Sequence, residues 1–254
     1  MSCLNQKEFD ALTVKAGVTM GTSNTARTVV VLVVFMRRVV TELLKYPRTP
    51  HLPYSLGMTS DDKLISPTGL EFLQNAANEL VVTEKMDGSN YTMTRSTCFG
   101  RSVDARSNHW DNYVKSLWAG INYLIPEGWR VTGENMYARK SVSYDNLPGV
   151  FLVFGVWDEQ DNLLSWDDMC QYSELLDLPM VSLLYRGHNF YEASKAWENS
   201  LNDEISEGFV MRHAEKISGD KFSERVAKYV RADHVRTEDT WRRRDDYELN
   251  TFKN

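Results

Sequence analysis

"TEKMDGSNY", residues Thr83 to Tyr91, decides how this chain folds. The segment around it reads as strand. Apolar Leu80, Val81 and Val82 lead in, and Tyr91 and Met93, spaced by threonines, lead out. Asp87-Gly88 in the middle is a turn signal. In one reading the segment is a surface hairpin whose Glu84 and Lys85 sit in water. In the other, the turn presents Lys85 at a strand end for chemistry. The rest of the chain decides between them.

Working outward, "KYPRTPHLPYSLGMTSDDK", Lys45 to Lys63, carries three of the seven prolines and reads as an ordered loop. "SPTGLEFLQNAANELV" reads as a short helix running into the strand that ends at Lys85. A second strand is expected over Tyr91 to Thr97. The spacing of Trp110, Val114, Leu117, Trp118 and Ile121 predicts an amphipathic helix. "WRVTGENMY" and "GVFLVFGVWD" read as strands, the latter buried. "SWDDMCQYSELLDL" opens with a serine and an acidic first turn, a capped helix. "NFYEASKAWENSL" predicts another helix, and "SEGFVMRH" and "ERVAKYVRAD" two more strands. Strands outnumber helices and are mostly joined by turns, so the expected class is α+β with mainly antiparallel sheets flanked by helices.

The chain has 254 residues, 42% of them hydrophobic and 25% charged, enough to bury a sizeable core unaided. A net charge of −6 does not announce a nucleic-acid binder, but a local basic groove is compatible with it. Cys3, Cys98 and Cys170 are far apart and odd in number, which excludes a disulfide framework or zinc knuckle and favours a reducing compartment. The five scattered histidines form no metal-binding pattern. Val29 to Met36 is a run of eight apolar residues, too short for a bilayer, which needs about 20. It reads either as a buried element or as part of a dispensable N-terminal extension, residues 1–44, with Met36 as the working start. The expected domain is then 45–254.

Five islands line up in order: "EKMDGSN" (Glu84 to Asn90), "DARS" (Asp104 to Ser107), "TGEN" (Thr132 to Asn135), "FLVFGVWD" (Phe151 to Asp158), and "SEGFVMR" through "AKYVR" (Ser206 to Arg231). Together they resemble the covalent lysyl-nucleotidyltransferases, the ATP-dependent ligases and RNA capping enzymes, in which a KxDG lysine takes up a nucleotide. Asn90, two places after the glycine, together with "YPRTPHLP" and "KYVRADHV", resembles the phage and bacterial RNA ligase branch.

The resemblance implies an ATP-grasp-like ligase catalytic domain that uses ATP and Mg2+ or Mn2+. It implies an enzyme joining RNA 3′-OH and 5′-phosphate ends through lysyl-AMP and an adenylylated 5′ end, in RNA repair. Lys85 is the implied nucleophile, with Glu207 acting near the metal and ribose and Lys228 neutralising phosphates. Glu84 would read the adenine edge, Phe154 stack on the ring and Glu134 hold the ribose. Arg106, Arg212 and Arg231 would hold phosphates, with Arg101 as the alternative to Arg106. Asn90 should point to the nucleotide side and hold an RNA end or a metal-bound water. No residue is assigned as a direct metal ligand.

A free lysine has a pKa of about 10.4, so attack requires it to be lowered; Lys228 with Arg231, or Arg106 with Arg212, are the expected source of that field. Where the family commonly carries two lysines one residue apart, Tyr229 and Val230 follow Lys228, so a second cation must be Arg231 or come from elsewhere. His213 and His234 read as structural, and Arg242 to Arg244 as a solvated face. About twenty residues follow the last island, an expectation of a bare catalytic domain whose grip on RNA is either weak or borrowed from a partner, an accessory protein or end-processing enzyme. The implied location is the cytoplasm, bacterial or phage-infected, with no membrane partner. The alternatives are a DNA ligase, a capping-type nucleotidyltransferase, or a non-catalytic binder of nucleic-acid ends. Asn90 argues against the first and the retained lysine and glutamates against the last.

Overall fold

The computed structural model describes residues 44–101, 109–200, 206–232 and 248–253. The valine run, Met36, Arg106, His234 and the arginines 242–244 lie outside the described residues. The chain divides into two compact units, Met1–Leu44 and Lys45–Asn254. All the elements below belong to the second.

Two antiparallel sheets dominate it, confirming the α+β class. The smaller sheet has the order β10-β8-β1-β7 and the larger β3-β2-β4-β5-β6-β9. Their strands are β1 (Leu80–Glu84), β2 (Ser89–Met93), β3 (Cys98–Gly100), β4 (Arg130–Asn135), β5 (Phe151–Trp157), β6 (Asn162–Leu163), β7 (Leu183–Gly187), β8 (Gly208–His213), β9 (Ile217–Ser218) and β10 (Val226–Val230). Among the described residues five α-helices flank them: α1 (Pro67–Gln74), α2 (Asp111–Ile121), α3 (Trp166–Leu175), α4 (Phe190–Ser200) and the single turn α5 (Phe222–Arg225). The helix starts follow local chemistry. Ser66 accepts the Gly69 N–H with Pro67 in the first turn, and Ser165 accepts the Asp168 N–H.

The hairpin reading of Asp87-Gly88 is wrong. β1 pairs with β7 and β8 in one sheet, and β2 pairs with β3 and β4 in the other. The Asp-Gly pair is therefore a crossover between sheets, and its partners are distant in sequence. Asp87 Oδ2 accepts the backbone N–H groups of Ser141 (2.8 Å) and Val142 (3.0 Å), and the Asp87 N–H donates to the Tyr144 hydroxyl at 3.1 Å. A side chain at Gly88 would lie 2.6 Å from both the Asn135 carbonyl and Glu134 Cγ, so the glycine is required by close approach to the end of β4.

Two further expectations change. The strand over Tyr91 to Thr97 ends at Met93, because Thr94 Oγ1 accepts the N–H groups of Ser96 and Thr97 and turns the chain into β3. Edge strand β7 was not foreseen; its residues are only half-buried or exposed and carry no alternating apolar signal.

The cores sit on opposite sides of the sheets. Leu80, Val82, Phe209 and Met211 pack against Leu73 of α1 and Trp197 of α4. Tyr91, Met93, Val131 and Phe151 pack against Val114 of α2 and Met169 of α3. What remains between the sheets is a cleft of about 1090 Å³.

Candidate nucleotide-binding site

Lys85 follows β1 directly, and its N–H donates to the Gly208 carbonyl at 2.9 Å, which fixes it beside the start of β8. Its amine donates to Glu207 Oε2 at 2.6 Å; the two side chains are 25% and 8% exposed. Opposite, strand register places Asn90 of β2, Glu134 of β4 and Leu152 of β5 side by side. Side chains directly across a sheet share a face, and Asn90 and Glu134 both line the cleft. Asn90 Oδ1 is buried with no hydrogen-bond partner, an acceptor aimed at a space that a ligand or metal-bound water suits. Phe154, half-buried, meets Tyr46 edge to face at 5.0 Å and presents its ring to the cleft.

The electrostatics correct one expectation. Burial pulls the Lys85 amine down, but the carboxylates of Glu207, Glu134 and Asp87 outweigh it, so the amine is held above its ordinary value. Before ligand arrives Lys85 is an ammonium clamped by acids, not an amine freed by cations. Lys228, by contrast, is pulled below its ordinary value by burial, with Asp62 opposing and Lys85 adding to the pull.

Burial pushes the Glu134 carboxyl up to about 7, against the attraction of Lys140 and Lys85. A carboxyl raised in the folded state costs nothing while both states are protonated. Ionisation in the fold becomes a penalty as pH rises from the unfolded value of about 4.3 to about 7. Glu134→Gln should therefore match the parent in urea unfolding at pH 4 and be more stable at pH 8, by on the order of 1 kcal/mol. Equal stability at both values would show that Glu134 ionises freely.

The other expected residues fare unevenly. Glu84 also borders the cleft, but its carboxyl hydrogen-bonds Ser206 and Ser182, and burial, opposed by those bonds, raises it. Strand alternation sends that side chain to the face opposite Lys85. Arg212 is 4% exposed, and its guanidinium donates to the carbonyls of Leu164 (2.6 Å) and His213 (3.0 Å). It braces the base of the cleft, with its donors already engaged by the fold. Arg231 stands one residue past the end of β10 and does not line the cleft. Lys140 and Arg101 do line the cleft. Arg106 lies outside the described residues.

Sequence reading missed Tyr46, His51 and Asp62, all from the proline-rich loop and all lining the cleft. The loop's prolines signalled order, but nothing in the sequence signalled its place between β10 and α1. Among the described residues, no group of three or more His, Cys, Asp or Glu side chains is arranged to hold a metal, and no helix is long and apolar enough to cross a membrane.

The fold and site define a cleft between two antiparallel sheets, with a lysine at the crossover bonded to one glutamate and a second glutamate lining the same cleft. The sequence model of the RNA ligase family matches residues 78–230, more than half of the chain, and the chain belongs to that family. No curated protein matches it. Among solved structures, an archaeal ATP-dependent RNA ligase (form 2) is 19% identical with a TM-score of 0.51, covering 74% of this chain and 48% of that one. A putative ATP-dependent DNA ligase from Aquifex aeolicus is 17% identical with a TM-score of 0.48, covering 74% and 50%. A mutant RNA ligase of Naegleria gruberi solved with AMP and Mn is 16% identical with a TM-score of 0.48, covering 79% and 63%. The likeness to the archaeal ligase shows a shared fold, and the chain spans about half the length of the first of these structures.

Proposed function

We propose that the protein is an ATP-dependent RNA ligase, with Lys45–Asn254 as its nucleotidyltransferase unit and residues 1–44 as an extension to it. The observation that carries the reading is the Lys85 amine, bonded to Glu207 and facing Glu134 and Asn90, in a chain of the RNA ligase family.

In the first step Lys85 gives a proton along its existing bond to Glu207 Oε2. Its Nζ attacks the α-phosphorus of ATP; the N–P bond forms as the bond between that phosphorus and the bridging oxygen breaks, and pyrophosphate leaves with the electron pair. Lys228 and Lys140 attract the departing charge. Phe154 and the backbone at Glu84 bracket the adenine, and Glu134 holds the ribose. A bound Mg2+ or Mn2+ would supply positive charge beside the phosphates and offset the carboxylates that keep Lys85 protonated; Asn90 Oδ1 and Glu207 are the oxygens that suit it or its waters. In the second step a 5′-phosphate oxygen of RNA attacks the lysyl-AMP phosphorus, the P–N bond breaks and the amine takes a proton. In the third a 3′-OH attacks the 5′-phosphorus and gives its proton to solvent; the phosphodiester forms as the P–O bond to AMP breaks, and AMP leaves with the electron pair.

Free thiols at Cys98 and Cys170 support work in a reducing cytoplasm, bacterial or phage-infected, in RNA repair beside an accessory or end-processing enzyme. The test is incubation with α-labelled ATP and Mg2+, denaturing electrophoresis, then sealing of a 5′-phosphorylated RNA. Label on Lys85 and a sealed product are expected. Absence of label, or preference for GTP, overturns the reading.

Asn90 separates the steps. An amide holds a terminal phosphate or a metal-bound water but transfers nothing. Asn90→Ala should slow single-turnover sealing of a 5′-adenylylated RNA by about 10- to 100-fold, with a smaller effect on labelling of Lys85. Sealing at the parent rate would reduce Asn90 to a strand residue.

A further inference from the structure

Lys228 does not stand alone in the cleft. Its Nζ lies 3.3 Å from Asp62 Oδ1, and the same oxygen lies 3.3 Å from His51 Nε2. On the far side of the imidazole, His51 Nδ1 meets Ser55 Oγ at 2.7 Å. Ser55 Oγ in turn accepts the Val230 N–H at 2.9 Å. The Ser55 hydroxyl also reaches the Val230 carbonyl at 3.4 Å, so it can either donate to Nδ1 or accept from it. The tautomer with its proton on Nε2 turns an N–H toward Asp62. The opposite tautomer would face a bare lone pair toward a carboxylate. The contact from Nε2 to Asp62 is electrostatic rather than a full hydrogen bond.

The backbone around the chain of contacts is clamped. Lys228 N donates to the Pro50 carbonyl at 2.9 Å, Leu52 N to the Lys228 carbonyl at 2.8 Å, His51 N to the Lys63 carbonyl at 2.7 Å, and Ile65 N to the His51 carbonyl at 2.8 Å. His51 is 1% exposed, an imidazole buried where a hydrophobic side chain would pack at no polar cost. Asp62 is further fixed by the N–H and hydroxyl of Thr59, at 3.1 and 2.9 Å. Two residues of a loop are thus built to hold one carboxylate against one lysine.

We propose that Ser55, His51 and Asp62 form a positioning relay for Lys228, setting where its ammonium stands when the triphosphate arrives. The inference rests on the reading of Lys228 as a phosphate-binding cation. Lys228 needs such a device because a lone lysine side chain samples many rotamers and, when buried beside Lys85, is repelled by it. Asp62 offsets both, and His51 keeps Asp62 from swinging away. None of the three residues transfers a proton to substrate; they act through Lys228.

The test is single-turnover formation of lysyl-AMP over a range of ATP concentrations, with thermal melting as a control. Asp62→Asn is isosteric and partly exposed, so it should melt close to the parent. It should lower the maximal rate about tenfold, since small misplacements of a catalytic group cost that much or more. Lys228→Ala should lose more, and the double variant Asp62→Asn/Lys228→Ala should be no slower than Lys228→Ala alone. His51→Gln, which retains an N–H at the Nε2 position, should keep more activity than His51→Ala. Additive losses in the double variant, or a parent rate for Asp62→Asn, overturn the relay. A parent protein that forms no lysyl-AMP, or a Lys228→Ala variant that matches the parent, instead overturns the reading of the site.

Discussion

Lys85→Ala should abolish covalent labelling by ATP, a loss on the order of 10⁴-fold or more, because no other side chain in the cleft replaces the nucleophile. The substitution is not silent for the fold. It leaves the Glu207 carboxylate, 8% exposed, without its 2.6 Å partner, so a stability loss of about 1–3 kcal/mol accompanies it. Lys85→Arg separates the two effects. Its guanidinium keeps the positive charge beside Glu207 but stays protonated and cannot attack phosphorus. It should restore most of the stability and none of the label. Mass spectrometry locating AMP on any residue but Lys85, or labelling of either variant above background, sinks the assignment.

Gly208→Ala should cost about 3 kcal/mol or more in urea unfolding, the largest stability effect expected at a single glycine of the site. Gly208 has φ +154°, and an added Cβ would lie 2.1 Å from the Tyr229 carbonyl oxygen. The clash is with backbone of the neighbouring strand β10, so no side chain swings aside to relieve it. Separating β8 from β10 there also moves Glu207 away from Lys85, so residual folded protein should label poorly. Gly120 is the control: it is exposed in α2, an added Cβ meets nothing within 4 Å, and Gly120→Ala should stabilise by about 0.5–1 kcal/mol. A neutral Gly208→Ala would mean that the strands part at no cost there.

Much of the site was legible because its residues mark the ends of elements. Lys85, Glu134 and Glu207 each sit beside a turn or a glycine, where local pattern is strong. Alternation expects Asn90 on the same side as Gly88, and both line the cleft, since a period of two survives any arrangement of the strands. Phe154 was placed by position within an apolar strand, and it does present its ring to the cleft. Arg212 and Arg231 were read as phosphate ligands from type and order. The fold gives them different places: Arg212 spends donors on carbonyls, and Arg231, one residue past the end of β10, does not line the cleft.

By itself the sequence determined most of the longer elements, the class, and the family through the order of its islands. These depend on periodicity, caps and turn residues, which act over a few positions. Tertiary structure alone decided that Asp87-Gly88 joins two sheets instead of closing a hairpin. The residues that hold that turn, Ser141, Val142 and Tyr144, lie more than fifty positions away. It also decided that Lys85 rests as a clamped ammonium and that a histidine and an aspartate from the proline-rich loop stand behind Lys228. Charge and burial depend on what packs nearby in space, and spacing along a chain carries no record of which distant side chains arrive there.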